Sequence, residues 1–285
     1  MYCSGLTTID IPNSVTSIEV NLFFQCSSLT SITIPKSLTY IEPGAFSGCC
    51  ALTSIEVEND NPKYDSRNNC NAIIETSSNT LIVGCKNTTF PSSVTSIGVC
   101  AFSGHAEITT ISIPDNVTSI GLYAFSGCSG LTSIDIPNSV TFIGGSAFSD
   151  CCSLSSVIIP NSVTSIDGSA FGNCWALSDF YCWANNVPST SIHAFEMTPC
   201  NKATLHVPVG SVDTYKNTSP WSLFGTIVAL TDDDPKPTGV YSLKVDNNIS
   251  PEATFSLDGR RLSNPQRGLN IIRMSDGSTK KVMIK

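Results

Sequence analysis

The sequence predicts a repeat solenoid, mostly β with short helical turns, followed by a small antiparallel β domain. Two observations predict the solenoid. Offsetting the chain by 23 residues, and allowing 33 more between Cys49 and His105, aligns Cys3, Cys26, Cys49, Cys128, Cys151 and Cys174 in one column, with His105 where a seventh cysteine would fall. The same offset aligns Ile9, Ile32, Ile55, Ile111, Ile134 and Val157, and also Phe46, Phe102, Phe125, Phe148 and Phe171. Agreement in independent columns at one period marks a repeat array. A third observation, a change of composition after Thr231, predicts the second domain.

The module Cys128 to Asp150, CSGLTSIDIPNSVTFIGGSAFSD, shows what each coil does. Leu131, Ile134 and Ile136 follow L-x-x-I-x-I, whose alternation is that of a half-buried strand. Pro137 ends the strand because proline has no ladder donor, and Asn-Ser turns the chain. A second short strand points Val140 and Ile143 inward, and Gly144 to Phe148 reads as a helical turn or compact loop. One coil buries too little apolar surface to offset the entropy of ordering its backbone, so stability must come from stacking on neighbours.

The motif C-S-x-L-T-S-I-x-I-P-N-S-V-T-S-I-G-x-x-A-F-S-G resembles the leucine-rich repeats of BspA-like bacterial surface proteins over about residues 3 to 227. The resemblance implies a leucine-rich-repeat solenoid, exposure at or beyond the cell surface, and a role in adhesion or in binding host or neighbouring-cell proteins.

Residues 1–230 form the predicted solenoid. Two full modules and the first strand of a third precede an insertion at 58–90, because Val57 should run straight into the module proline, and that proline is Pro91. Within the insertion, Ala72-Ile73-Ile74 and Leu81-Ile82-Val83 flank Thr76 to Asn79, which reads as a hairpin or as strands of one more degenerate coil. BspA-like arrays carry similar insertions starting Asn-Pro-x-Tyr, matched here by Asn61-Pro62-Lys63-Tyr64. Cys70 and Cys85 lie symmetrically about Ser77-Ser78, so a disulfide and two buried thiols are both open readings.

The array is regular from Pro91 to Asn173. From 175 to 227 it decays into Trp175, Phe180, Tyr181 and Trp183, then a strand at Thr204 to Val207 and a helix start at Gly210-Ser211. This is the expected C-terminal cap, which a solenoid needs to shield its last layer, and Val207 to Lys216 resembles the closing element of the same family. Residues 231–239 read as a solvated linker; the run Asp232-Asp233-Asp234 lacks the spaced ligands of a calcium loop.

Residues 240–285 read as alternating strands at Thr254 to Leu257, Leu269 to Met274 and Lys281 to Ile284, with Asp258-Gly259 and Asp276-Gly277 as turns. The Leu257 to Arg261 element, Arg267-Gly268 and the lysine-rich Lys280 to Lys285 resemble the C-terminal sorting domains of type IX secretion cargo. That implies export and surface attachment. No leader opens the chain and the array starts at once, which predicts a piece of a longer exported protein. No apolar stretch is long enough to predict membrane insertion.

The net charge of -8 is uneven. Through Thr231 there are six Lys/Arg against sixteen Asp/Glu, giving -10, and this acidic array argues against nucleic acid, which is bound through basic contacts. Thirteen cysteines would ordinarily predict disulfides, but a single column predicts a ladder of reduced, buried thiols. The three histidines stand at no metal or triad spacing, and no catalytic or phosphate-binding motif appears. No enzyme activity, cofactor or metal is predicted.

Two functions remain. In the first, residues flanking the strand isoleucines make a broad recognition face for an extracellular protein or glycan: Thr8/Asp10, Ser31/Thr33, Ser54/Glu56, Thr110/Ser112, Ser133/Asp135 and Ser156/Ile158. In the second, the repeats are a structural spacer or coat component, and contacts are made by the insertion or by Trp175, Tyr181 and Trp183. The sequence leaves the oligomeric state open.

Overall fold

The structure, a computed structural model, describes residues 3–237 and four strands at Pro251–Phe255, Arg261–Leu262, Gly268–Met274 and Thr279–Ile284. The chain divides into two compact units between Val240 and Tyr241. The first is a mostly-β solenoid of about nine turns, with Val212–Lys216 its one α-helix among the described residues.

Each regular coil passes through two parallel sheets. In the first sheet Ser31–Ile34 pairs with Ser54–Val57, and separately Ser133–Asp135, Ser156–Ile159, Asp179–Cys182, Thr204–Val207 and Thr226–Ala229 form five successive strands. The second sheet takes the short strands after the module proline: Ser17–Ile18 with Tyr40–Ile41, then Ser96–Ile97, Ser119–Ile120, Phe142–Ile143, Ser165–Ile166 and Ser189–Thr190. Ser133 opposes Ser156 and Ser156 opposes Asp179, so the 23-residue offset of the sequence is the register of the sheet.

Between the sheets, columns become ladders. The Phe102, Phe125, Phe148 and Phe171 rings are buried and stacked at centroid spacings of 5.1, 5.3 and 5.3 Å, close to the distance between paired strands. Cys49, Cys128, Cys151 and Cys174 each donate to the carbonyl of a phenylalanine one coil earlier: Phe23, Phe102, Phe125 and Phe148, at 3.1 to 3.4 Å. Cys26 is fully buried in the same column, whereas Cys3, in the first coil, is exposed. His105 is buried like the cysteines, with Nδ1 2.8 Å from Glu107 Oε1.

Threonines just before the strands are also ladder members. Thr30 Oγ1 donates to Thr7 O, Thr53 to Thr30 O, Thr132 to Thr109 O and Thr164 to Thr141 O. Short hydroxylated side chains at strand edges therefore satisfy carbonyls between coils.

The insertion resolves both halves of its sequence expectation. Ile73–Glu75 and Thr80–Val83 pair antiparallel as a hairpin, while Thr80–Val83 also pairs in parallel with Ser96–Ile97, taking the place of a coil in the second sheet. Both faces of this hairpin are buried. Ile73, Val83 and Cys85 join the core of the first coils, and Cys70, Ala72, Ile74 and Leu81 join the core that runs on to Phe224. That explains the uninterrupted apolar runs, since a strand covered on both sides does not alternate. It also decides the cysteines: Cys70 and Cys85 are free thiols in different cores. The register shift between Ile73 and Ile74 breaks the hairpin's symmetry.

Asn61 fastens the start of the insertion. Its amide donates to Pro35 O and Leu38 O at 2.9 and 3.0 Å, and its side-chain oxygen accepts the Lys63 and Tyr64 N–H groups. At the other end of the solenoid, Tyr215 and Trp221 are fully buried, and Trp221 and Phe224 meet Phe180 and Phe195 edge-on. Tyr215 Oη donates to Ala184 O at 2.9 Å.

Residues 231–237 are not a freely solvated linker. The Asp234 carboxylate accepts from Thr231 N and Oγ1 at 2.6 and 3.0 Å, and Pro237 is buried. The second unit has a four-stranded antiparallel sheet in the order Arg261–Leu262, Pro251–Phe255, Gly268–Met274, Thr279–Ile284. The expected turns Asp258-Gly259 and Asp276-Gly277, with Ser256, Leu257, Arg267 and Lys285, lie outside the described residues.

Candidate functional site

The outward positions of the first sheet divide into two groups. Ser31, Thr33, Ser54 and Glu56 lie on the two-stranded sheet, with Thr33 and Glu56 exposed. Ser133, Asp135, Ser156 and Ile158 lie on the five-stranded sheet. Thr8, Asp10, Thr110 and Ser112 are exposed but outside any strand. The expected face is therefore not one continuous sheet. Next to Ser54–Val57, where another strand of this sheet would follow, the chain leaves for the insertion.

A cleft of about 630 Å³ opens at this break, lined by Thr33, Glu56, Asp60, Asp65, Arg67 and Asn68 among others. Arg67 is held within it: Nε and Nη2 reach the two Asp65 oxygens at 2.7 and 2.5 Å, and Nη1 reaches Asn79 at 2.9 Å. A guanidinium so occupied positions the loop.

The five-stranded sheet changes character along its length. Register places Asp135 opposite Ile158, Ile158 opposite Tyr181, Tyr181 opposite His206 and His206 opposite Val228. The outward row thus passes from a carboxylate to an isoleucine, two stacked rings and a valine. Tyr181 and His206 lie 4.3 Å apart, centroid to centroid, nearly parallel. His206 sits between two acids, with Nε2 3.2 Å from Asp179 Oδ1 and Nδ1 3.7 Å from Asp234 Oδ1. Burial, followed by the charges of Asp179 and Asp234, pushes the Tyr181 phenol up.

Sequence reading placed Tyr181 and His206 in the cap and not on the face. Tyr181 was findable, since it stands 23 residues after Ile158. His206 was not, because the coil between Asp179 and Thr204 is two residues longer than the repeat. Trp175 is exposed, while Trp183 is half-buried and donates its indole N–H to Pro235 O at 3.1 Å.

The ladder cysteines are shaped for structure. Burial pushes the Cys49 thiol up to about 12 and those of Cys151 and Cys174 well above their ordinary value, suppressing the thiolate that redox or metal chemistry needs. Among the described residues no group of three or more His, Cys, Asp or Glu is arranged to hold a metal ion, and no helix is long and apolar enough to cross a membrane.

The sequence profile of the BspA type leucine rich repeat region matches six copies, over residues 1–78 and 74–202. Among solved structures, the chain is similar to a leucine rich cell surface protein from Faecalibacterium prausnitzii, at 28% identity over 64% of this chain and 59% of that one, with a TM-score of 0.42. It is similar to a leucine-rich repeat protein from Eubacterium ventriosum at 26% identity, covering 66% and 63%, with a TM-score of 0.39. The pneumococcal vaccine antigen PcpA shares the fold at 15% identity, covering 78% and 67%, with a TM-score of 0.54. The chain thus spans about three fifths of the Faecalibacterium and Eubacterium proteins. No curated protein sequence matches it.

Proposed function

Because the chain belongs to the BspA-type leucine-rich repeat family, we propose that it is a non-enzymatic surface or secreted binding protein that holds an extracellular protein or glycan on its first sheet. The observation that carries this reading is the row Asp135, Ile158, Tyr181, His206 and Val228, five outward side chains in unbroken register. The threonines that precede the strands are engaged between coils, whereas here an aromatic pair stands on a sheet beside carboxylates. Tyrosine on a fixed scaffold is a favoured anchor of protein recognition. The small Ser133 and Ser156 leave room for a partner to lie along the sheet.

The test is a screen of the whole chain against immobilised extracellular-matrix proteins and a glycan array, repeated with Tyr181→Ala and with Asp135→Lys. A saturable ligand whose affinity drops tenfold or more in both variants, at unchanged thermal midpoint, is the expected result. Capture that neither variant weakens would move recognition to the insertion, and capture of nothing would favour the spacer reading.

The tail carries the second part of the proposal, that residues 240–285 act as a type IX sorting address. Its support is the resemblance of the Leu257 to Arg261 and Lys280 to Lys285 elements, together with a small antiparallel sheet. Fused to a reporter in a cell with that secretion machinery, the segment should carry it outside. A reporter retained in the periplasm would sink the idea.

A further inference from the structure

After the solenoid's last strand, Thr226–Ala229, the chain continues as a strap against the end of the first sheet. Three contacts fasten it to the solenoid and one closes it on itself. Leu230 N donates to Val207 O at 2.7 Å, Thr231 closes on Asp234, Asp234 Oδ1 faces His206 Nδ1, and the Trp183 indole N–H reaches Pro235 O. Between strap and sheet end lies a cleft of about 490 Å³, within the roughly 300–1,000 Å³ of ordinary ligand sites.

Its lining has two chemistries. Trp183, Pro208, Val209 and Leu230 give apolar surface, whereas Asn185, Asp232 and Lys236 bring an amide, a carboxylate and an ammonium. The two charges are opposite, so the cleft selects no net-charged ligand, and it is too open and too polar for an acyl chain. A sugar ring matches this mixture. Its C–H face covers apolar and aromatic surface, while its hydroxyls donate to a carboxylate, accept from an ammonium and do both with an amide.

We propose that this cleft, formed by Trp183 and Asn185 on the solenoid and Asp232 and Lys236 on the strap, is a binding site for a saccharide of one or two rings. The inference deepens the recognition reading above, because it gives that surface a glycan subsite beside the Tyr181–His206 row. The strap makes the site: without it the sheet end offers Trp183 and Asn185 but no opposing wall.

The experiment titrates the full chain with methyl glycosides of neutral hexoses, N-acetylhexosamines and hexuronates, read by saturation-transfer NMR and calorimetry. At least one glycoside should bind saturably, with transfer strongest to ring C–H protons. Trp183→Ala should weaken it at least tenfold. Asp232→Asn, at an exposed position, should weaken it several-fold with an unchanged melting point. Trp175→Ala, at an exposed tryptophan outside the cleft lining, should leave it unaltered. Silence across the panel, or binding that survives both Trp183→Ala and Asp232→Asn, overturns the site. If Tyr181-dependent capture of a matrix protein persists alongside that silence, only the cleft has failed. If glycosides bind while no macromolecule is captured through Tyr181, the row has failed and the cleft stands.

Discussion

The Cys151 thiol donates to the Phe125 carbonyl at 3.3 Å, and the same oxygen accepts the Cys128 backbone N–H at 3.1 Å. One carbonyl thus closes the turn of its own coil and receives the next coil. Where the cysteine column ends, Thr198 Oγ1 takes the thiol's place, donating to Phe171 O at 2.5 Å and accepting Cys174 N–H at 3.0 Å. The column therefore calls for a small buried donor, a requirement that cysteine meets while also filling apolar space.

Replacing Cys151 separates these two contributions. Cys151→Ala, losing both the bond and the sulfur's contacts, should cost about 1–3 kcal/mol in urea unfolding. Cys151→Ser, which keeps the donor, should cost less. A serine variant as unstable as the alanine one would show that only the sulfur's volume matters.

The thiol column also sets an alkaline limit. Burial raises Cys49 from 9.0 to about 12, and Cys200, buried outside the column, likewise to about 12. Such thiols ionise in the unfolded chain before they do so in the folded one, so their stabilisation is complete below about pH 9 and is lost as pH rises toward 12. Thermal midpoints should be level from pH 7 to 8.5 and fall steadily above pH 9. A midpoint unchanged at pH 11 would contradict the burial of the ladder.

Native-state alkylation offers a direct readout. At pH 8 iodoacetamide should modify the exposed Cys3 and Cys152 quickly and leave Cys128, Cys151 and Cys174 unmodified until denaturant is added. Fast labelling of the column would mean that the coils open far more readily than their burial implies.

At the seam between coils two and three, Gly104 has φ +75°, and a Cβ there would stand 2.8 Å from the backbone nitrogen of Gly48. Backbone cannot step aside, so Gly104→Ala should cost about 2–4 kcal/mol. Gly210→Ala, where nothing lies within 4 Å, should be nearly neutral. Equal midpoints for the two variants would remove the close approach from the account.

The fold was legible because the period of the sequence is the register of the sheet: Ser133, Ser156 and Asp179 oppose one another at the spacing that aligns them in the text. What the sequence hid follows from the same logic. A repeat argument predicts columns, so it continued the recognition face through Thr110 and Ser112, where the insertion breaks the sheet. It also stopped the face at Ile158, although Tyr181 stands one period further on, and it lost His206 because the lengthened coil before Thr204 shifts that residue out of column. The strap was illegible in a different way. A run of aspartates reads as solvated, and nothing in composition shows that Asp234 will accept from Thr231 and face His206.

The hairpin of the insertion, walled by separate cores on its two sides, gives the molecule a mechanical weak plane. Pulled from the two ends of the solenoid, the coils should part there, the first ones peeling as one piece while the longer stretch to Phe224 holds. A force trace would then show two ruptures of unequal contour length, whereas a single rupture would mean that both cores yield together. Under load the solenoid would then lengthen in two steps.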